Sequence, residues 1–268
     1  MTYQILIGRL LLHVRPAPFA AWLKRILRCH RVELPTPEGT FWIDPGSVPG
    51  AELARGRSWE PHTLAAIKHL VGPGDTFVDV GANEGYFSVV ASRCAGPAGR
   101  VIAVEPQTRL QPVLRRNLDL NQCANSEVVS SAISDSAGPV QFNLTPDMNT
   151  GASGLTAFTH YPLPTQSTDC MTLSGLFDAF RIPQGAVVKM DIESWEYEAI
   201  LGSRELFAAG TVRALILELH STLLARRNRR AGDVIDFLKA CAYDCLPDQA
   251  GAVWVRRSVT GPCASAER

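Results

Sequence analysis

The chain has 268 residues, and its 26 lysines and arginines are balanced by 26 aspartates and glutamates. That length buries the core of one α/β domain with an appendage and leaves little for a second domain of ordinary size. Balanced charge excludes nucleic acid as a bulk partner and an acidic solvating tail, so a small molecule is the expected ligand.

Residues 3–14 are rich in leucine and isoleucine but broken by Arg9 and His13. The stretch is too short to cross a bilayer, and no small-residue cleavage site follows it. After Pro16-Ala17-Pro18, Phe19 to Arg31 sets Trp22, Leu23, Ile26 and Leu27 against Lys24, Arg25, Arg28 and Arg31. This basic amphipathic pattern suits an anionic membrane surface, or packing on the chain's own domain or a second subunit. From Val32 to Ile43 a hairpin is expected, with Glu38-Gly39 at its turn. A loop over 44–50 then leads to a helix from Glu60 or Pro61 to Leu70, stopped by Gly72-Pro73-Gly74.

Short apolar runs follow at Thr76–Val80, Arg100–Val104, Val128–Ala132, Val187–Met190 and Ala214–Leu219. Such runs mark parallel strands covered on both faces. Ser88–Cys94, Arg109–Asn121 and Trp195–Leu201 lie between them with helical spacing. The expected fold is therefore α/β, a Rossmann-like, doubly wound and mostly parallel sheet with right-handed crossovers and an N-terminal helical and hairpin extension. Gly138–Leu144 interrupts the alternation as an extra strand, and Thr145–Thr168 reads as a long polar loop. A closing antiparallel pair is expected at 243–246 and 252–256, around a turn at 248–251. Residues 1–70 form the extension, 71–258 the catalytic domain and 259–268 a disordered tail. Seven scattered cysteines without a CxxC pair read as thiols in a reducing compartment, and the Asn143-Leu144-Thr145 sequon carries no weight there.

In doubly wound sheets ligands sit beyond the C-terminal strand ends, where Asp79-Val80-Gly81-Ala82-Asn83-Glu84-Gly85-Tyr86-Phe87 is placed. Gly81 and Gly85 permit tight turns and close backbone approach, and the next helix offers its N-terminus. Asn83 stands where a dinucleotide fingerprint needs its middle glycine, so pyrophosphate fits poorly. Asp79 would repel phosphate and accept hydrogen bonds from an ammonium group. Glu105, ending the second strand, can grip both ribose hydroxyls. An amino acid, a ribose and no pyrophosphate describe S-adenosylmethionine.

Asp191 and Glu193 end the fourth strand on one side of the crevice, as base, substrate clamp or metal ligands, or as caps of the following helix. Gly202 can cap that helix at its other end. Glu218 and His220 end the fifth strand, and His220 is a natural general base near neutral pH. His160 in the long loop is a weaker candidate.

Together these motifs resemble the FkbM-type methyltransferases, S-adenosylmethionine-dependent enzymes with a Rossmann-like fold. The similarity rests on Gly74-Asp75 leading into the glycine loop, Glu105-Pro106, Ala132-Ile133-Ser134-Asp135, and Lys189-Met190-Asp191-Ile192-Glu193 with Glu196-Tyr197-Glu198 and Leu201-Gly202. Trp59-Glu60 is also similar, and the whole spans roughly Phe41 to Val255. Two departures stand out. The family usually has a glycine soon after the second acid, where this chain has Ser194-Trp195, and a Thr-Leu-Asp where it has Thr172-Leu173-Ser174. The resemblance implies a cytoplasmic O-methyltransferase acting on sugars or polyketide-like products. In it Asp79 holds the amino end of the cofactor, Gly81, Asn83 and Gly85 shape the loop, Glu105 holds ribose, Ile133 with Asp135 borders adenine, and Asp191 meets the reacting hydroxyl. Transfer from a sulfonium needs alignment and a proton acceptor but no metal. Two alternatives are a nicotinamide-dependent oxidoreductase, disfavoured by Asn83, and a silent cofactor-binding protein, raised by Ser194-Trp195.

Overall fold

The computed structural model describes residues 3–15, 17–159, 162–246 and 252–257. His160, the turn at 248–251 and the 259–268 tail lie outside the described residues. Helices α1 (Tyr3–Leu11) and α2 (Ala17–Ile26) precede the hairpin β1 (Val32–Thr36) and β2 (Gly39–Ile43). Next come α3 (Val48–Ala54), α4 (Pro61–Leu70), β3 (Thr76–Val80), α5 (Tyr86–Ala95), β4 (Arg100–Val104), α6 (Gln111–Leu120) and β5 (Ser126–Val129). A side sheet follows in β6 (Ala132–Ser134), β7 (Gly138–Asn143) and β8 (Thr165–Thr172), with a 3₁₀ turn at Asp147–Ala152. The remainder is α7 (Leu173–Ala179), β9 (Ala186–Met190), α8 (Glu196–Leu201), α9 (Arg204–Ala209), β10 (Val212–Leu217), α10 (Ser221–Arg226), α11 (Ala231–Ala240), β11 (Tyr243–Cys245) and β12 (Val253–Arg256).

The main sheet has the order β11-β12-β10-β9-β3-β4-β5, parallel from β10 to β5 and closed by the antiparallel pair β11 and β12. Strand β3 is the first laid down. The chain adds β4 and β5 on one side of it and then crosses to β9 on the other, which puts the topological switch between β3 and β9.

Two apolar layers cover the sheet. On one face Phe77, Val101 and Val187 meet Ile67, Val89, Leu114 and the hairpin residues Phe41 and Ile43. On the other, Val78, Val80, Ile102, Val188 and Met190 meet Leu173, Leu176, Ile200 and Leu238. The hairpin and α4 thus pack into the apolar layer on one face of the main sheet.

Three expectations are corrected. The run 128–132 is not one strand: β5 ends at Val129, and β6 leaves the main sheet to pair with β8. Ser131 fixes the break, its hydroxyl donating to Ala132 O and Asp169 O at 2.9 and 3.2 Å. The end of the polar loop is strand β8, which buries only Thr168 and Cys170 and so lacks an apolar alternation. Residues 48–54 form a helix capped by Ser47, whose Oγ accepts from Gly50 N at 3.1 Å.

Gly81 and Gly85 are required for different reasons. Gly81 has φ +84°, and a Cβ there would stand 2.0 Å from Asp191 O. Gly85, with φ +86°, would meet the movable Leu114 Cδ1 at 2.5 Å. Gly81→Ala should therefore cost at least about 2 kcal/mol, and more than Gly85→Ala, in urea unfolding. Equal midpoints for the two variants would contradict this packing.

Candidate active site

Beyond the C-terminal end of β3 the chain turns under β4. Gly81 N and Ala82 N both donate to Val104 O, at 3.0 and 2.9 Å. Glu105 fastens the loop from the neighbouring strand end: Oε2 accepts from Asn83 N at 2.8 Å and Oε1 from Gln107 N at 2.9 Å. Asn83 adopts φ +50°, a conformation asparagine tolerates. Burial pushes the Glu105 carboxyl up to about 7 against the pull of these amides.

Glu105 borders a narrow cleft of about 50 Å³, with Val104, Pro106, Ala132, Ile133 and Trp195 among its other walls. The 3₁₀ segment roofs it. Thr150 donates to Asn83 Oδ1 at 3.1 Å, Gln107 Nε2 donates to Thr150 O at 3.2 Å, and Arg109 bonds Asp147 and Thr145 O at 3.0 and 2.7 Å. Gly81, Asn83, Gly151, Asp191 and Glu193 line both this cleft and a larger cavity of about 930 Å³. The larger one has apolar walls at Phe41, Ile43, Leu53, Trp59 and Ile216, and a polar floor at Glu60, Lys189, Asp191, Glu218 and His220.

That floor is tightly coupled. Lys189 Nζ lies 3.7 Å from both Asp79 and Asp191 and donates to Gly81 O at 3.2 Å. Burial alone would lower its pKa, but Asp191, Asp79 and Glu60 outweigh that and hold it raised. His220 Nε2 lies 3.9 Å from Asp191, 3.7 Å from Glu193 and 3.8 Å from Glu218, while Nδ1 is 3.1 Å from Glu196 Oε1. Burial pulls the imidazole down, yet the bond to Glu196 and the surrounding carboxylates prevail and set it at about 9. On the carboxyl of Glu193 burial acts the other way and lifts it to about 7.

The structure brings Gly81, Asn83, Glu105, Ile133, Asp191, Glu193 and His220 to the two cavities and leaves three expected residues away from them. Asp79 is wholly buried: its register partner across β3 and β9 is Lys189, and Ser88 Oγ donates to it at 2.6 Å. It therefore faces Lys189 and lines neither cavity. Gly85 packs on α6 instead of lining either cavity. Asp135 is exposed and lies against the end of α8, where a Cβ on Gly202 would come within 2.6 Å of its Cα. That close approach explains Gly202, whose φ of −77° is ordinary helix and not a left-handed cap. His220, held protonated near neutral pH, is an imidazolium donor there and not the free base its type invites.

Helix capping by Asp191 or Glu193 is also excluded. The turn's amides, Ile192 N and Ser194 N, donate to Glu196 Oε1 at 3.1 and 3.2 Å. Glu196 belongs to the motif that carries the resemblance, but the sequence assigns it no role. Its signal was the acid three residues after Glu193, at the start of a short helix that has no side-chain cap. Ser194, at φ +80°, occupies the left-handed conformation that a glycine would take without strain. Trp195 beside it is clamped by Arg227, 3.8 Å over the ring, and Arg227 is held in turn by Glu198 at 2.8 Å.

A family model described as the methyltransferase FkbM domain matches residues 79–245. No curated protein matches the chain. Among solved structures the chain is similar to a methyltransferase FkbM from Methylobacillus flagellatus KT, at 17% identity over 68% of this chain and 45% of that one, with a TM-score of 0.39. It is similar to a protein-L-isoaspartate O-methyltransferase at 27% identity over 27% of this chain and 23% of that one, TM-score 0.25. Aeropyrum pernix fibrillarin, bound to S-adenosyl-L-methionine, matches at 13% identity over 72% of this chain and 73% of its own, TM-score 0.38. The chain thus spans less than half the length of the first two.

Proposed function

The chain belongs to the FkbM methyltransferase family, and from that premise we propose that it transfers a methyl group to a hydroxyl of a sugar, glycan or secondary metabolite. The donor is S-adenosylmethionine, whose sulfonium makes the methyl group electrophilic without further activation. Glu105 fits its ribose: the carboxylate is 3% exposed, and each oxygen has one amide donor and a remaining lone pair. Ile133, Val104 and Pro106 offer apolar contact to the adenine ring. A cleft this narrow admits a nucleoside only when the 3₁₀ roof lifts, so its ties through Thr150, Gln107 and Arg109 must exchange. Asp191 then accepts the hydroxyl's proton, because His220 already carries one.

The observation that carries this reading is the meeting of the two cavities at Gly81, Asn83, Asp191 and Glu193, which lets a donor in the cleft face an acceptor in the larger space. Incubating the protein with methyl-labelled S-adenosylmethionine and separated glycan, glycolipid and small-metabolite fractions tests it. Label on an oxygen of one fraction is the expected outcome. Label on nitrogen or carbon, or in no fraction while the donor binds, overturns it; the last result favours the silent binding protein.

A lipid surface is the proposed neighbour of residues 3–27. Among the described residues no helix is long and apolar enough to cross a membrane. Tyr3, Leu6 and Leu10 of α1 and Phe19, Trp22 and Ile26 of α2 nevertheless stand exposed at one-face spacing, with Leu27 beside them. Residues 1–31 contain Arg9, Arg15, Lys24, Arg25, Arg28 and Arg31 and no acid. Lys24 and Arg31 are paired with Asp44 and Glu84, but Arg15, Arg25 and Arg28 stand exposed, and an apolar face flanked by them matches an anionic bilayer surface better than a second neutral subunit. Helix α1 lies against α3 and meets Pro45, in the loop before it, at Gly8; α3 supplies Val48 and Leu53 to the larger cavity, so docking would bring that cavity to the lipid. A cytoplasmic setting suits the free thiols described. The double variant Leu6→Ser, Trp22→Ser should sediment with phosphatidylserine vesicles at least about tenfold less than wild type. Wild-type protein that stays in the supernatant would remove the membrane from the account.

A further inference from the structure

The polar floor of the larger cavity gathers more carboxylates than its cations balance. Glu60, Asp191, Glu193 and Glu218 line it and Glu196 lies directly beneath His220, five acids against Lys189 and His220. Lys189 is already shared between Asp79, Asp191 and Gly81 O. A second observation concerns Glu196 alone. It has no solvent exposure, and its Oε2 has no hydrogen-bond partner although Oε1 has three. A buried carboxylate oxygen left without a donor is costly, and such an atom points to a missing partner.

A carboxylate oxygen of Glu196, one of Asp191 and a ring nitrogen of His220 lie within 4.8 Å of one another. Glu60, Asp191 and Glu218 form a second group with the same spacing, so Asp191 is common to both. Donor atoms around one cation with bonds of about 2.1 Å stand roughly 3 to 4.2 Å apart. Glu196 Oε1 stands 3.1 Å from His220 Nδ1, inside that span, while Asp191, Glu193 and Glu218 lie 3.9, 3.7 and 3.8 Å from the ring's other nitrogen, Nε2.

We propose that Asp191, Glu196 and His220 bind a divalent cation, which takes the place of the proton His220 otherwise carries, with waters completing its ligands. An oxygen-dominated set with one imidazole and no thiolate suits Mg²⁺ or Mn²⁺. Its role rests on the methyl-transfer reading: a hydroxyl bound to such a cation releases its proton to a neighbouring carboxylate more readily. Cation binding itself does not depend on that reading.

The test uses the full chain with Mn²⁺ alone, followed by electron paramagnetic resonance, with S-adenosylhomocysteine affinity measured in parallel as a check of fold and donor site. Wild-type protein should take up one Mn²⁺ and show nitrogen coupling from an imidazole. Glu196→Gln and His220→Gln should each weaken uptake by about 10 to 100-fold while S-adenosylhomocysteine binds as before. No Mn²⁺ bound by wild type at about 1 mM, weaker than any working site for this ion, overturns the proposal. So does bound Mn²⁺ without nitrogen coupling, which needs no variant and decides the matter if the variants do not fold. Lost S-adenosylhomocysteine binding by wild type would instead sink the methyltransferase reading.

Discussion

Glu105→Ala should weaken S-adenosylmethionine binding by roughly 10² to 10⁴-fold, from two charge-assisted hydrogen bonds of about 1.5 to 3 kcal/mol each. Two losses combine in this variant. The ribose loses its acceptor, and Asn83 N and Gln107 N lose the carboxylate that holds the glycine loop to the end of β4. Because Asn83 N then stays inside a largely closed cleft, the loop should also become mobile, visible as faster amide exchange at 81–85. Calorimetric titration of the folded variant decides the point. Unchanged affinity would remove Glu105 from the donor site and with it the placing of the nucleoside.

Asp191→Asn should fold, bind the donor nearly as before and turn over roughly 10²-fold or more slowly. The change keeps size and removes the charge that faces Lys189 on one side and His220 on the other. No helix cap is lost, since the turn's amides belong to Glu196. Turnover is measured at saturating donor with the acceptor found by labelling. Wild-type turnover in this variant would transfer the proton to Glu193, the other acid common to both cavities.

How legible this site was in the sequence depended on the kind of signal each residue gave. The glycine loop and Glu105 were readable because backbone turns and strand-end acids recur at fixed distances from apolar runs. The burial of Asp79 is not legible for a geometric reason: in a strand the side chain's surroundings are set by register, and its partner Lys189 lies 110 positions along the chain. The carboxylates around His220 are hidden similarly, since they come from the turns after β9 and β10 and from the start of α8. Strand β8 was hidden because its buried residues are threonine and cysteine, which carry little apolar contrast. Glu196 was hidden because a glutamate opening a helix is ordinary at the surface, and only burial reveals its role.

The most direct measurement is a crystal structure of the protein with S-adenosylhomocysteine. The account predicts the ribose hydroxyls on Glu105, the adenine between Pro106 and Ile133, the 3₁₀ segment displaced, and the sulfur between Gly81 and Asp191, facing the larger cavity. A nucleoside seated in the larger cavity, or a sulfur turned away from Asp191, would contradict it.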